Sequence, residues 1–272
     1  MTRQGSTLPA RTSVATAANT TDTVSRSSAS DTGASTSRRG LLRWGALLGG
    51  GTLLAACGSG EGEVVAGAAP ERPEEITDPD QALDLLRQGN ARFVAAREQH
   101  TAHTIERRLH VASGQHPFAI VLACADSRVP PELVFDQGLG DLFVVRTAGQ
   151  VLAPPVLGSI QYGVEHLHVP LILVLGHEKC GAVSATLEAV QTGAAATGTA
   201  IDSLVEAIRP AVERARAGSD EDHLLAEAVR SNVTDEVETL VTDPLLAEAV
   251  AAGHLRIAGA TYDLDEDVVT FL

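Results

Sequence analysis

The chain has 272 residues, 44% of them hydrophobic and 20% charged, enough for one sizeable α/β core with an appendage and too apolar for wholesale disorder. A formal net charge of −15 and an aromatic content of 3% argue against nucleic acid held by phosphate neutralisation or base stacking, and against an anionic membrane surface held by electrostatics. Collagenous, coiled-coil and multi-span membrane architectures are excluded, and three cysteines are too few for a disulfide framework, so each needs its own reading.

Residues 1–37 are rich in Ser, Thr and Ala and have no hydrophobic period, a composition expected to stay unstructured because it cannot offset its ordering entropy. Ser37-Arg38-Arg39-Gly40 follows, then an apolar run from Trp44 to Ala56, too short to span a bilayer but suited to a signal-peptide core. The paired arginines resemble a twin-arginine export signal. Leu54-Ala55-Ala56-Cys57-Gly58 resembles a bacterial lipoprotein signal, which implies that Cys57 becomes the acylated first residue of the mature protein. The alternative is a buried helix ending at a glycine, but the run is apolar all round rather than amphipathic. Residues 1–56 are therefore expected to be leader and signal peptide, 57–75 a Gly, Ala, Glu and Pro tether, and 76–272 the folded domain. Removal of the leader's six Arg and two Asp leaves the remainder at −19, suited to an exported domain held by lipid alone.

From Asp78 the pattern turns helical, with Asp78 as N-cap, Pro79 in the first position, and Leu83, Leu86, Phe93 and Val94 on one face. Short apolar runs at 118–123, 142–145, 171–175 and 254–260 read as strands. Amphipathic segments at 156–168, 181–192, 201–216 and 222–251 read as helices. The alternation predicts an α/β fold with a mostly parallel central sheet and helices on both faces. Residues 267–271 are expected to form an edge hairpin with 254–260.

Two motifs follow the two most apolar runs directly. Phe118 to Ala123 leads into Cys124-Ala125-Asp126-Ser127-Arg128, and Leu171 to Leu175 leads into Gly176-His177-Glu178-Lys179-Cys180-Gly181. In a parallel sheet both emerge at the carboxyl edge, where open α/β folds place their sites. Two thiolates and an imidazole would then converge as a zinc set, and three protein ligands leave one position open to water, as in a catalytic site. Gly176 is expected to let the next turn close tightly and Gly181 to let backbone approach the metal loop. A Cys124–Cys180 disulfide is the competing reading in an oxidising exterior, although a chain folded before export could load metal first.

At this point the sequence resembles the β-class carbonic anhydrases. Their pattern C-x-D-S-R, followed about fifty residues later by H-x-x-C-G, is matched at Cys124, Asp126, Ser127, Arg128, His177, Cys180 and Gly181. Gly89 to Val94, Gly140 to Arg146 and Gly158 to Tyr162 are similar to further family segments, so the resemblance spans roughly residues 76–272. It implies one zinc ion per subunit, held by Cys124, His177 and Cys180, and reversible hydration of carbon dioxide to bicarbonate by a zinc-bound hydroxide. Two thiolates donate more negative charge than neutral ligands, so an alkaline activity optimum is expected.

The resemblance also implies roles for further residues. Asp126, paired with Arg128, would orient the attacking hydroxide; swung away, it would be a conditional fourth zinc ligand in a closed state. Gln115, nine positions before Cys124, would hydrogen-bond substrate, and Phe143 and Tyr162 would line an apolar carbon dioxide pocket. Parts of that pocket come from a second subunit, so a homodimer or higher homo-oligomer is implied. Arg146-Thr147-Ala148-Gly149-Gln150 departs from the family's usual Arg-Asn-Ala-Gly-Asn, and Val121 stands where the bicarbonate-inhibited subgroup has tryptophan. Lys179, the chain's one lysine, and the remaining histidines read as surface or helix-end residues. The expected protein is an exported enzyme, on the outer face of the cell membrane as a lipoprotein or secreted or periplasmic. Two other readings keep the metal motif: a zinc hydrolase of the same fold acting on carbon disulfide or carbonyl sulfide, and a non-catalytic zinc-binding or thiol-redox protein.

Overall fold

A computed structural model of the chain describes residues 75–99 and 104–272. The twin-arginine segment, Cys57, the tether up to residue 74, His100 and His103 lie outside the described residues. Asp78 caps α1 (Pro79–Val94) by accepting from the Asp80 N–H at 2.9 Å, with Pro79 in the first turn. Helix α2 (Ile105–Val111), capped by Thr104, buries no residue, so no apolar stripe announces it in the sequence. The rest of the domain runs β1 (Ala119–Cys124), α3 (Pro131–Val134), β2 (Leu142–Thr147), a 3-10 turn at 148–150, α4 (Pro154–Leu167), β3 (Leu171–His177) and α5 (Gly181–Thr192). After these come α6 (Ile201–Gly218), α7 (Leu224–Thr242), α8 (Pro244–Ala251), β4 (Arg256–Tyr262) and β5 (Val269–Phe271).

The segment expected as one helix over 222–251 is two. Asp243, forced into an extended conformation before Pro244, ends α7 and caps α8 by accepting from the Leu246 N–H at 3.2 Å.

The strands form one sheet in the order β2-β1-β3-β4-β5. The β1–β2, β1–β3 and β3–β4 pairs are parallel, and β5 closes the edge antiparallel to β4, as expected for the terminal hairpin. Side chains alternate across the pleat and so split the core in two. Ala119, Val121, Ala123, Leu171, Leu173 and Leu175 pack with Leu83 and Leu86 of α1 and Val134 of α3. Ile120, Leu122, Ile172 and Val174 face Ile160 of α4, Val233 of α7 and Leu246 of α8. Both faces are therefore covered by helices, and β1 and β3, buried throughout, need continuous apolar sequence rather than alternation. Among the described residues no helix is long and apolar enough to cross a membrane.

Candidate metal centre

Cys124 is the last residue of β1 and His177 the last of β3. The two strands are neighbours in parallel register, with Ala123 opposite Leu175, so both side chains leave the sheet at one end. Chain direction then brings in the third residue. The Glu178 N–H continues the β3–β4 ladder by donating to the Tyr262 carbonyl at 2.9 Å. Lys179 turns the backbone through the left-handed region at φ 54°, and Cys180 sits at the cap position of α5. At a helix N-terminus the aligned peptide dipoles favour a thiolate.

Cys124, His177 and Cys180 are buried, and their ligand atoms all lie within 4.8 Å of one another. The two Sγ atoms are 3.9 Å apart and both cysteines are free. A disulfide requires about 2.05 Å. Two sulfurs on one tetrahedral zinc, each bonded at about 2.3 Å, stand about 3.8 Å apart. The donor set therefore fits a metal. The imidazole agrees: Nδ1 lies 2.8 Å from the Glu178 carbonyl, to which its N–H donates, leaving Nε2 completely buried with no hydrogen-bond partner. A neighbour that fixes one ring nitrogen and frees the other is the usual support of a metal-ligating histidine.

The electrostatics are those of a site built for charge. Cys180 first, then the neighbouring His177 ring and the Gly149 N–H, pull the Cys124 thiol well below its usual range against the resistance of burial. Cys180 is pushed up by its bond to Cys124 and by burial. Burial opposes charge on His177, yet the Cys124 sulfur, the Glu178 carbonyl and Asp126 together raise its affinity for a proton.

Asp126 lies just past β1, with Oδ2 3.9 Å from His177 Nε2. Arg128 grips it with both prongs, Nε to Oδ1 at 3.0 Å and Nη2 to Oδ2 at 2.8 Å, and the Arg128 N–H adds a third bond at 2.9 Å. These bonds hold the carboxyl well below the usual carboxylate range. The loop carrying both motif residues is tied to β2 by Arg146, whose guanidinium donates to the carbonyls of Cys124 at 2.8 Å, of Val129 at 3.2 Å and of Asp126.

The structure brings Cys124, His177 and Cys180 together, with the Asp126–Arg128 pair beside them, and adds Arg146 as an anchor that the sequence did not single out. Sequence reasoning also misjudged two glycines. A Cβ on Gly176 would stand 2.6 Å from Val233 and 3.2 Å from Val229, so this glycine admits α7 rather than closing a turn; a Cβ on Gly181 would meet nothing within 4 Å. The left-handed turn falls on Lys179 instead. Lys179 is exposed, its Nζ 2.6 Å from Asp265. A second acidic group, Glu178, Asp263 and Asp265, is occupied by that ammonium and by backbone N–H groups donated to Asp263.

Gln115, Phe143 and Tyr162 are not at the metal centre of their own chain. Gln115 is exposed before the start of β1, and Cys124 is at the other end of that strand. Phe143 is opposite Ile120 near the same strand end, its ring 6.3 Å from that of Tyr162, which is 47% exposed. The described histidines other than His177 are all exposed, as expected.

A family model described as carbonic anhydrase matches residues 119–269. Carbonic anhydrase 2 of Mycobacterium tuberculosis is 46% identical over 191 residues, covering 70% of this chain and 91% of that protein. Among solved structures, a β-carbonic anhydrase of Coccomyxa in complex with acetazolamide superposes with a TM-score of 0.55 at 26% identity, covering 72% of this chain and 87% of that one. One of the two tetrameric β-carbonic anhydrases of Sordaria macrospora shares the fold with a TM-score of 0.56 at 24% identity, over 71% and 97% of the two chains.

Proposed function

From the premise that this chain belongs to the β class of the carbonic anhydrase family, we propose that it hydrates carbon dioxide reversibly to bicarbonate at one zinc ion per subunit, held by Cys124, His177 and Cys180. The observation that carries the metal is the buried His177 Nε2, without a hydrogen-bond partner, beside two sulfurs at tetrahedral spacing. When bound there, zinc supplies the acidity that turns water into hydroxide near neutral pH.

The protein's own groups do the rest. Asp126 is the acceptor that orients the attacking oxygen, because an ionised carboxylate near the ligands can take its hydrogen bond and direct the lone pair at carbon. Arg128 keeps that carboxylate charged and aimed. Its fork favours the paired arrangement over one in which Asp126 turns inward as a fourth ligand. The apolar surroundings of Cys124 and Cys180, among them Val151, Val183 and Ile208, exclude bulk water and strengthen each of these interactions.

Substrate binding by Gln115, Phe143 and Tyr162 requires a second copy, since all three lie away from the ligands of their own chain. The partly exposed apolar edge strand β2 supports a homodimer that completes each pocket. The leader supports export, with Cys57 acylated and the domain held at the outer face of the cell membrane. An unmodified Cys57 in mature protein, found by mass spectrometry, would remove the anchor.

The deciding experiment is stopped-flow carbon dioxide hydration by the zinc-loaded protein near pH 8.5, beside Cys180→Ser. Rapid turnover lost in the variant supports the reading. Negligible turnover with zinc bound overturns it and moves the substrate to carbon disulfide or carbonyl sulfide, or leaves a zinc protein without turnover.

A further inference from the structure

Helix α7 carries a polar side chain where its packing calls for an apolar one. Asn232 is 1% exposed between Val229 and Val233, both core residues, and burying an amide costs free energy unless its donors are used. Its Nδ2 donates to the Gly149 carbonyl at 2.9 Å. Gly149 in turn donates its N–H to Cys124 Sγ at 3.3 Å, so the two side chains meet through a single residue of the loop between β2 and α4.

That loop does not hold its shape unaided. Gly149 has φ 69° and Gln150 φ 47°, and a residue other than glycine in the left-handed region costs about 1–2 kcal/mol. Several restraints offset this. A Cβ on Gly149 would come within 2.7 Å of Ile208 Cδ1 and 3.2 Å of Ala182 Cβ, so the backbone is pressed into place by α5 and α6. Thr147 Oγ1 donates to the Val151 carbonyl at 2.9 Å, and Glu236, one turn after Asn232, accepts the Leu152 N–H at 3.2 Å. Asn232 adds a hydrogen bond to the packing that holds Gly149, the residue that touches sulfur.

We propose that Asn232 is a positioning residue of the metal centre: by holding the Gly149 carbonyl it keeps the Gly149 N–H on Cys124 Sγ, and thereby sets how strongly that sulfur donates electrons to the metal. A donated N–H drains charge from a metal-bound thiolate and restores some of the Lewis acidity that two thiolates remove. The proposal rests on the zinc reading above, and its test separates the two.

The full chain is loaded with cobalt(II) in place of zinc, and the thiolate-to-cobalt charge-transfer band is recorded for the parent and for Asn232→Leu and Asn232→Ala. With the N–H withdrawn, Cys124 is a stronger donor and the band moves to lower energy. The loosened ligand loop also releases zinc to a chelator about tenfold faster. A folded Asn232→Leu with the parent's band and release rate overturns the proposal. If Asn232→Leu does not fold, Asn232→Ala carries the same comparison, because truncation removes the donor without adding bulk. A parent protein that binds cobalt without a thiolate band overturns the metal reading itself, and the proposal with it.

Discussion

Glu236 should make the protein less stable in alkali, and Glu236→Gln should remove the effect. The carboxyl is 8% exposed and accepts one backbone N–H from Leu152, too little to replace its hydration. Burial, which the Leu152 bond opposes and the neighbouring Asp235 charge reinforces, lifts it from 4.5 to about 7. Between those values the folded protein keeps a proton that the unfolded chain has lost. The stability that this proton contributes is complete below pH 4.5 and is lost as pH rises to about 7. At 1.36 kcal/mol per unit the whole displacement is worth about 3 kcal/mol, and about 2–3 kcal/mol of it falls between pH 5 and pH 8.5. Glutamine keeps the acceptor oxygen and cannot ionise. For a domain of this size 1 kcal/mol moves Tm by about 2–4 °C. The variant should therefore match the parent closely at pH 5 and melt about 5–10 °C above it at pH 8.5, with zinc and protein concentration held equal. A gap between the two proteins that does not change with pH would refute the assignment of a buried neutral carboxyl.

The other predictions follow from particular contacts. Arg128→Ala removes a charge-assisted fork from Asp126, so kcat should fall about 10–100-fold, the equivalent of about 1.5–3 kcal/mol, with bound zinc by elemental analysis unchanged. Gly176→Ala forces a methyl against Val233 and should destabilise the domain by about 1–3 kcal/mol, read as a lower Tm. If the pocket is completed by a second copy, co-expressed Gln115→Ala and Cys180→Ser chains should recover activity that neither has alone. Random pairing gives half of the dimers one intact site each, so about a quarter of the parent rate is expected; no recovery in a confirmed heterodimer would show that Gln115 serves its own chain.

What the sequence made legible was whatever depends on short-range pattern joined to sheet geometry. The apolar runs ending at Cys124 and His177 read as buried strands of a parallel sheet, and their adjacency in it brings the candidate ligands together. Asp78-Pro79 announced a helix start, and Asp243-Pro244 carries the same signal within a stretch whose periodicity hid it. The support behind the ligands was less visible. Asn232 and Gly149 are 83 positions apart, and neither belongs to a local pattern. Arg146 looks like any strand arginine until its three carbonyl partners are known. Gly176 was misread because a tight turn and a close helix ask for the same residue, and only the packing of α7 on β3 distinguishes them.

Lys179 has a use outside catalysis. It is the chain's one lysine, its side chain is 53% exposed, and it stands on a left-handed turn between the proposed ligands His177 and Cys180. An amine-reactive fluorophore would thus attach, apart from any free chain terminus, at a single nitrogen beside the centre. Its emission would report metal loading at the proposed centre without an engineered attachment point.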